Sequence, residues 1–166
     1  MSKSSALFQL GMDKDDRPQA LKPSTARTRD ENTPLSSTSS DKRYDHFITR
    51  NGIRCAGTHI IIDLHEANGL DDLSLMEKAL RDCVNEAKAT LLHIHLHHFE
   101  PNGGISGVAV LAESHISVHS WPEAKYAAFD VFMCGDAEPE LCVEVLRRAF
   151  APQRVVVSEV LRGKGA

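Results

Sequence analysis

Residues 107–135 read GVAVLAESHISVHSWPEAKYAAFDVFMCG, and this stretch decides the fold. Residues 107–112, 115–121 and 126–134 are rich in apolar and β-branched side chains and spell three strands. The links between them are a few residues long, far too short for a crossover helix, so the strands are expected to be antiparallel neighbours. The middle segment also carries Glu113, Ser114, His115, Ser117, His119 and Ser120, ending at Trp121-Pro122. A strand built only for packing needs none of those polar groups.

Working outward, Thr58–His65 (THIIIDLH) is β-branched and apolar and is expected as a strand, broken after it by Asn68-Gly69. Leu73, Met76, Leu80, Cys83, Val84 and Ala87 recur at three- and four-residue steps, the mark of one buried helix face. Residues 91–99 alternate as a strand, and Pro101-Asn102-Gly103-Gly104 makes a tight connection. Beyond the three central strands, Asp136 is expected to cap a helix carrying Leu141, Val145, Leu146 and Ala149, and residues 155–160 form a last strand. The order β-α-β-β-β-β-α-β predicts an α+β two-layer sandwich, a mostly antiparallel sheet with helices on one face. The other sheet face then needs cover, which points to a dimer.

The chain has 166 residues, enough for one compact core. Residues 1–43 are rich in Ser, Thr, Asp, Lys and Arg, contain Pro18, Pro23 and Pro34, and have Phe8 as their one aromatic residue. Such a segment cannot bury enough apolar surface to offset its ordering entropy, so a disordered tail is expected before a folded domain at 44–166. Net charge is −4, which gives no electrostatic case for nucleic acid. No apolar run approaches the roughly 20 residues of a membrane span. The start MSKSSALFQLGMDKDD lacks the apolar region of a secretory signal. Cys55, Cys83, Cys134 and Cys142 form no CxxC pair and read as free thiols. A soluble cytoplasmic protein is expected.

Two clusters carry chemistry. The first is HIHLHH, in which His93, His95 and His97 fall on one face of a strand because side chains alternate. Three imidazoles can ligate zinc or iron, but spacing alone supplies neither a fixed carboxylate nor an open position, so no metal is assigned. A structural role at a subunit interface or on a hydrogen-bonded face is the preferred explanation of the pattern. The second is ESHISVHSWPE, followed by YAAFDVFMCG and preceded by PNGGISG. Taken singly, Ser114 is a turn residue and Cys134 a small buried hydrophobe. Their ordered combination is not explained that way.

That combination closely resembles the prokaryotic S-adenosylmethionine decarboxylase proenzymes, short chains that make a pyruvoyl cofactor from themselves. The resemblance spans residues 45–162 and rests on Glu-Ser-His, a histidine five residues after the serine, Trp-Pro-Glu, and a Cys-Gly closing the next strand. Ser120 stands where many members carry threonine, and the hydroxyl is kept. The resemblance implies cleavage between Glu113 and Ser114. Ser114 Oγ attacks the Glu113 carbonyl to give an ester, assisted by Ser106, and His119 removes the Cα proton in the β-elimination that follows. A bend near His115 is expected, to bring His119 round to Ser114. The pyruvoyl group left at position 114 then takes the substrate amine as a Schiff base and accepts the electrons released with CO₂. Cys134 returns a proton to the substrate carbon, and Glu123 binds the ribose hydroxyls. Phe99 is the candidate aromatic face for the sulfonium and adenine. The product, decarboxylated S-adenosylmethionine, serves spermidine synthesis. The resemblance further implies a homodimer of cleaved protomers whose sites draw on both. Two alternatives stay open: a pyruvoyl-dependent arginine or ornithine decarboxylase, and a non-enzymatic histidine-cluster metal-binding module.

Overall fold

The computed structural model describes residues 46–165, all within one compact unit. The expected tail and its boundary at residue 43 lie outside the described residues. A hairpin opens the chain: β1 (Ile48–Arg50) pairs with β2 (Ile53–Cys55) through Asn51-Gly52. Both loop residues have positive φ, the two-residue turn whose twist suits a hairpin. This hairpin was not anticipated, although Asn-Gly between short β-branched runs signals it.

The main sheet contains β3 (Gly57–His65), β4 (Leu91–His98), β5 (Ile105–Leu111), β6 (Ser114–Trp121), β7 (Tyr126–Met133) and β8 (Arg154–Arg162). Their spatial order is β4-β5-β6-β7-β3-β8, and every neighbouring pair is antiparallel. Helices α1 (Leu73–Glu86) and α2 (Leu141–Phe150) complete the α+β sandwich. Asp72 accepts from the Leu75 N–H, 2.9 Å, and starts α1; such a cap is worth about 1 kcal/mol. Asp136 does not cap α2. The helix begins later, after Glu140, with no side-chain cap, because Glu138-Pro139 already forms a turn whose carbonyls accept from Leu141 and Cys142.

Period two explains the two sheet faces. Ile60, Ile62, Leu64, Ile116, Val118, Phe129 and Val131 point inward and are buried with Met76, Leu80 and Cys83 of α1 and Leu146 and Phe150 of α2. Directly opposed residues share a face. One row on the other face runs Val110, His115, Phe132, His59 and Val160. A second runs His97, Ser106, His119, Ala128, Asp63 and Val156. Among the described residues no helix covers this open face, and Ile61, Val110, Trp121, Val156 and Val160 on it are 38–43% exposed. Gly107 interrupts the apolar run of β5 because a Cβ there would fall 2.3 Å from the His95 carbonyl oxygen.

Candidate active site

The hairpin joining β5 to β6 consists of Ala112 and Glu113, with Leu111 opposite Ser114. Glu113 adopts φ +60°, the left-handed region, without being glycine, at a cost of about 1–2 kcal/mol. Ser114 is the first residue of β6 and nearly buried. Its Oγ accepts from the Cys134 N–H at 3.3 Å and lies 3.7 Å from Cys134 Sγ. The Cys134 thiol in turn points at the Glu113 carbonyl oxygen, 3.3 Å away. β7 ends at Met133 and β6 begins at Ser114, so antiparallel pairing brings residues 113, 114 and 134 together at one end of the sheet. A cavity of about 210 Å³ there is lined by His46, Thr90, Ala112, Ser114, Cys134 and Asp136.

His119, Ser106, Glu123 and Phe99 gather elsewhere. Ser106 and His119 are register partners on β5 and β6, and Ser106 Oγ lies 2.8 Å from His119 Nδ1. With Phe99, Trp121 and Glu123 they line a cavity of about 330 Å³ at the other end of β6, at the small end of ligand-pocket size. Glu123 arrives through the turn Pro122–Ala124 that follows β6. Phe99 is half exposed and meets His97 edge-on, ring centres 4.5 Å apart. Ser120, on the inward face, accepts from the Ile105 N–H and donates to the Leu70 carbonyl, both 2.8 Å. Its hydroxyl fastens the cavity floor.

The expected bend near His115 is absent. β6 pairs without a break with β5 from residues 114 to 119 and with β7 from 115 to 121. Five residues of regular strand separate Ser114 from His119 by about 17 Å. An odd separation also puts them on opposite faces, Ser114 inward and His119 on the open face. Flanking strands on both sides hold β6 straight, so one chain does not bring the two groups together.

The open face between these ends is a polar band among apolar side chains. His59 lies 3.5 Å from Asp130, Ser117 donates to Asp130 at 3.1 Å, and Arg162 approaches His59 at 3.2 Å. Burial, and then the neighbouring His59, push the His115 pKa down. Tyr126 donates to Asp63 at 2.5 Å, which with burial raises its pKa to about 12. His93, His95 and His97 do share this face, along the edge strand. Among the described residues no three His, Cys, Asp or Glu side chains converge as metal ligands.

Two neighbours of the candidate residues were missed. Trp121 lines the His119 cavity and stacks on Tyr126, centroids 5.4 Å apart; its two-residue step from His119 was the available signal. His46 sits against Glu113, 3.2 Å between Nε2 and Oε1, and nothing in the sequence around it marks that contact. No helix among the described residues is long and apolar enough to cross a membrane.

Residues 58–163 match the family model described as S-adenosylmethionine decarboxylase. An S-adenosylmethionine decarboxylase proenzyme of Thermomicrobium roseum is 45% identical over 112 residues, 67% of this chain and 97% of that one. Its counterpart from Methanococcus aeolicus is 43% identical over 110 residues, covering 64% and 93%. The crystal structure of the adenosylmethionine decarboxylase from Aquifex aeolicus superposes with a TM-score of 0.57 at 31% identity, covering 64% of this chain and 90% of that one. The chain belongs to the S-adenosylmethionine decarboxylase family of enzymes.

Proposed function

We propose that this chain cleaves itself between Glu113 and Ser114 and then decarboxylates S-adenosylmethionine, supplying an aminopropyl donor for spermidine synthesis in the cytoplasm. The observation that carries the reading is the strained Glu113 beside the Ser114 hydroxyl and the Cys134 thiol. Self-cleavage needs a peptide already away from its resting geometry, and a left-handed glutamate supplies that. Ser114 Oγ attacks the Glu113 carbonyl carbon, and the thiol donates to the oxygen on which charge develops. Collapse expels the Ser114 nitrogen and leaves an ester. Loss of the Ser114 Cα proton to the His119 imidazole, with departure of the Glu113 carboxylate, completes the cut. The dehydroalanine left at position 114 tautomerises to an imine, and water hydrolyses it, releasing ammonia and leaving a ketone.

The residues around position 114 fit a pyruvoyl group formed in place: it would open a strand beside a thiol and a cavity. When formed, that group supplies an electron sink for decarboxylation. Cys134 Sγ holds the proton to be returned to the substrate carbon. In the other cavity, the Glu123 carboxylate accepts from the two ribose hydroxyls. Phe99 and Trp121 offer π faces to the sulfonium and the base. A diol acceptor and aromatic faces suit S-adenosylmethionine better than arginine or ornithine.

Both cavities are needed, and one chain holds Ser114 and His119 about 17 Å apart. A second copy laid against the open face, about a two-fold axis perpendicular to the strands, exchanges the ends of the two sheets. Ser106, His119 and Glu123 of each protomer then come to the end of the sheet at which the other carries Ser114 and Cys134. The apolar groups exposed on that face support this homodimer.

The test is intact mass together with CO₂ released from carboxyl-labelled S-adenosylmethionine. Fragments 1–113 and 114–166, with an N-terminal pyruvoyl on the second, and release of label are expected. A chain that stays whole, or turns over only arginine or ornithine, contradicts the reading.

A further inference from the structure

The left-handed backbone of Glu113 has to be held by its surroundings, since no glycine relieves it. Three contacts do so. The Ala112 N–H donates to the Thr90 carbonyl at 3.0 Å, the Cys134 thiol reaches the Glu113 carbonyl at 3.3 Å, and the Glu113 carboxylate meets His46 Nε2 at 3.2 Å. The third comes from His46, which precedes residues 58–163, the stretch matched by the family model.

His46 is itself fixed to the same site. Its carbonyl accepts from the Gly135 N–H at 3.0 Å, one residue past Cys134. Gly135 has φ +60°, and a Cβ there would come 3.5 Å from His46 Nδ1. Four residues on, Arg50 donates to Glu140 at 2.6 Å and lies 3.6 Å from Glu159, so the short arm through β1 is anchored at both ends. One end of it rests on the turn after the thiol and on the residue whose carbonyl is attacked.

We infer that His46 is a positioning residue for self-cleavage: its imidazole grips the Glu113 carboxylate and keeps the scissile carbonyl turned toward Ser114 Oγ and Cys134 Sγ. This rests on the assignment of the Glu113–Ser114 bond as the one that is cut. Both side chains are more than half exposed, so the contact is a modest one.

The test follows cleavage of the full-length chain made by cell-free translation with a labelled amino acid, on denaturing gels over time. Removing His46 in His46→Ala should slow cleavage about three- to five-fold. It should have no further effect in a Glu113→Ala background, because the carboxylate it grips is gone. His46→Gln, whose amide can still donate to the carboxylate, should recover most of the rate. Repeating the cycle with His46→Phe keeps the ring's bulk without its nitrogens, so a folding defect in the alanine variant leaves the test standing. Equal slowing with and without the Glu113 carboxylate, or no slowing at all, would overturn the inference. A wild-type chain that never cleaves would defeat the bond assignment beneath it.

Discussion

The two ends of β6 are built for different work from the same alternating strand. At its start, Ser114 faces inward beneath a strained turn, with a thiol over the neighbouring carbonyl. At its finish, His119 and Trp121 face outward with Ser106 and Glu123 around an open cavity. On the proposed mechanism one end holds the groups that make and break bonds at residue 114, and the other holds a base, an acceptor and aromatic faces. A straight strand keeps them apart within one chain, and the proposed homodimer is what would join them.

The largest effect separates the ends most sharply. Ser114→Ala removes a single oxygen and should leave a folded chain that is never cut, read as one band on a denaturing gel. Two fragments would remove Ser114 from the chemistry. Cys134→Ala should cut more slowly, within about tenfold, since only a weak thiol donor leaves the carbonyl. Its decarboxylation should fall ~10²–10⁴-fold, the usual cost of losing a positioned proton donor. Full turnover would reassign the thiol.

At the far end, Glu123→Gln keeps size and loses charge. Hydrogen bonds to a charged group are worth about 1.5–3 kcal/mol, so kcat/KM for S-adenosylmethionine should drop roughly 10–150-fold. Cleavage should persist, because no step of the proposed cut uses the Glu123 carboxylate. A matching loss of cleavage would mean that this end also shapes the cut.

The smallest effect belongs to the band between the ends. Burial and His59 lower the His115 pKa below its ordinary 6.5. The folded chain therefore binds fewer protons there than the unfolded one, and stability rises with pH. The contribution is complete above about pH 6.5 and is lost as pH falls toward the depressed folded value. His115→Gln should flatten the thermal midpoint between pH 7 and pH 5; an unchanged slope would exclude His115 as its source.

The sequence made the sheet legible because strand and helix periods differ, and residues 58–65, 73–87 and 107–135 each follow one of them cleanly. Ser114, Cys134, Ser106, His119, Glu123 and Phe99 were all legible as candidates, and each half of the site is assembled by strand register. Their distribution was not. Five residues along a strand led to an expected bend near His115, and only the unbroken pairing of β6 decides against it. Asp136 misled because a good capping residue does not reveal that Glu138-Pro139 turns the chain first. His46 was invisible because its contact with Glu113 spans most of the domain and follows no local period.

Mixing two crippled chains tests the central claim, that each site is assembled from two copies. Ser114→Ala keeps His119, and His119→Ala keeps Ser114, so neither alone should be cut. Co-expressed with distinguishable tags, they form mixed dimers containing one complete site, and the His119→Ala chain should be cleaved in them while the Ser114→Ala chain stays whole. Mixed dimers recovered through both tags with both chains intact would contradict the account, as would efficient cleavage of His119→Ala on its own.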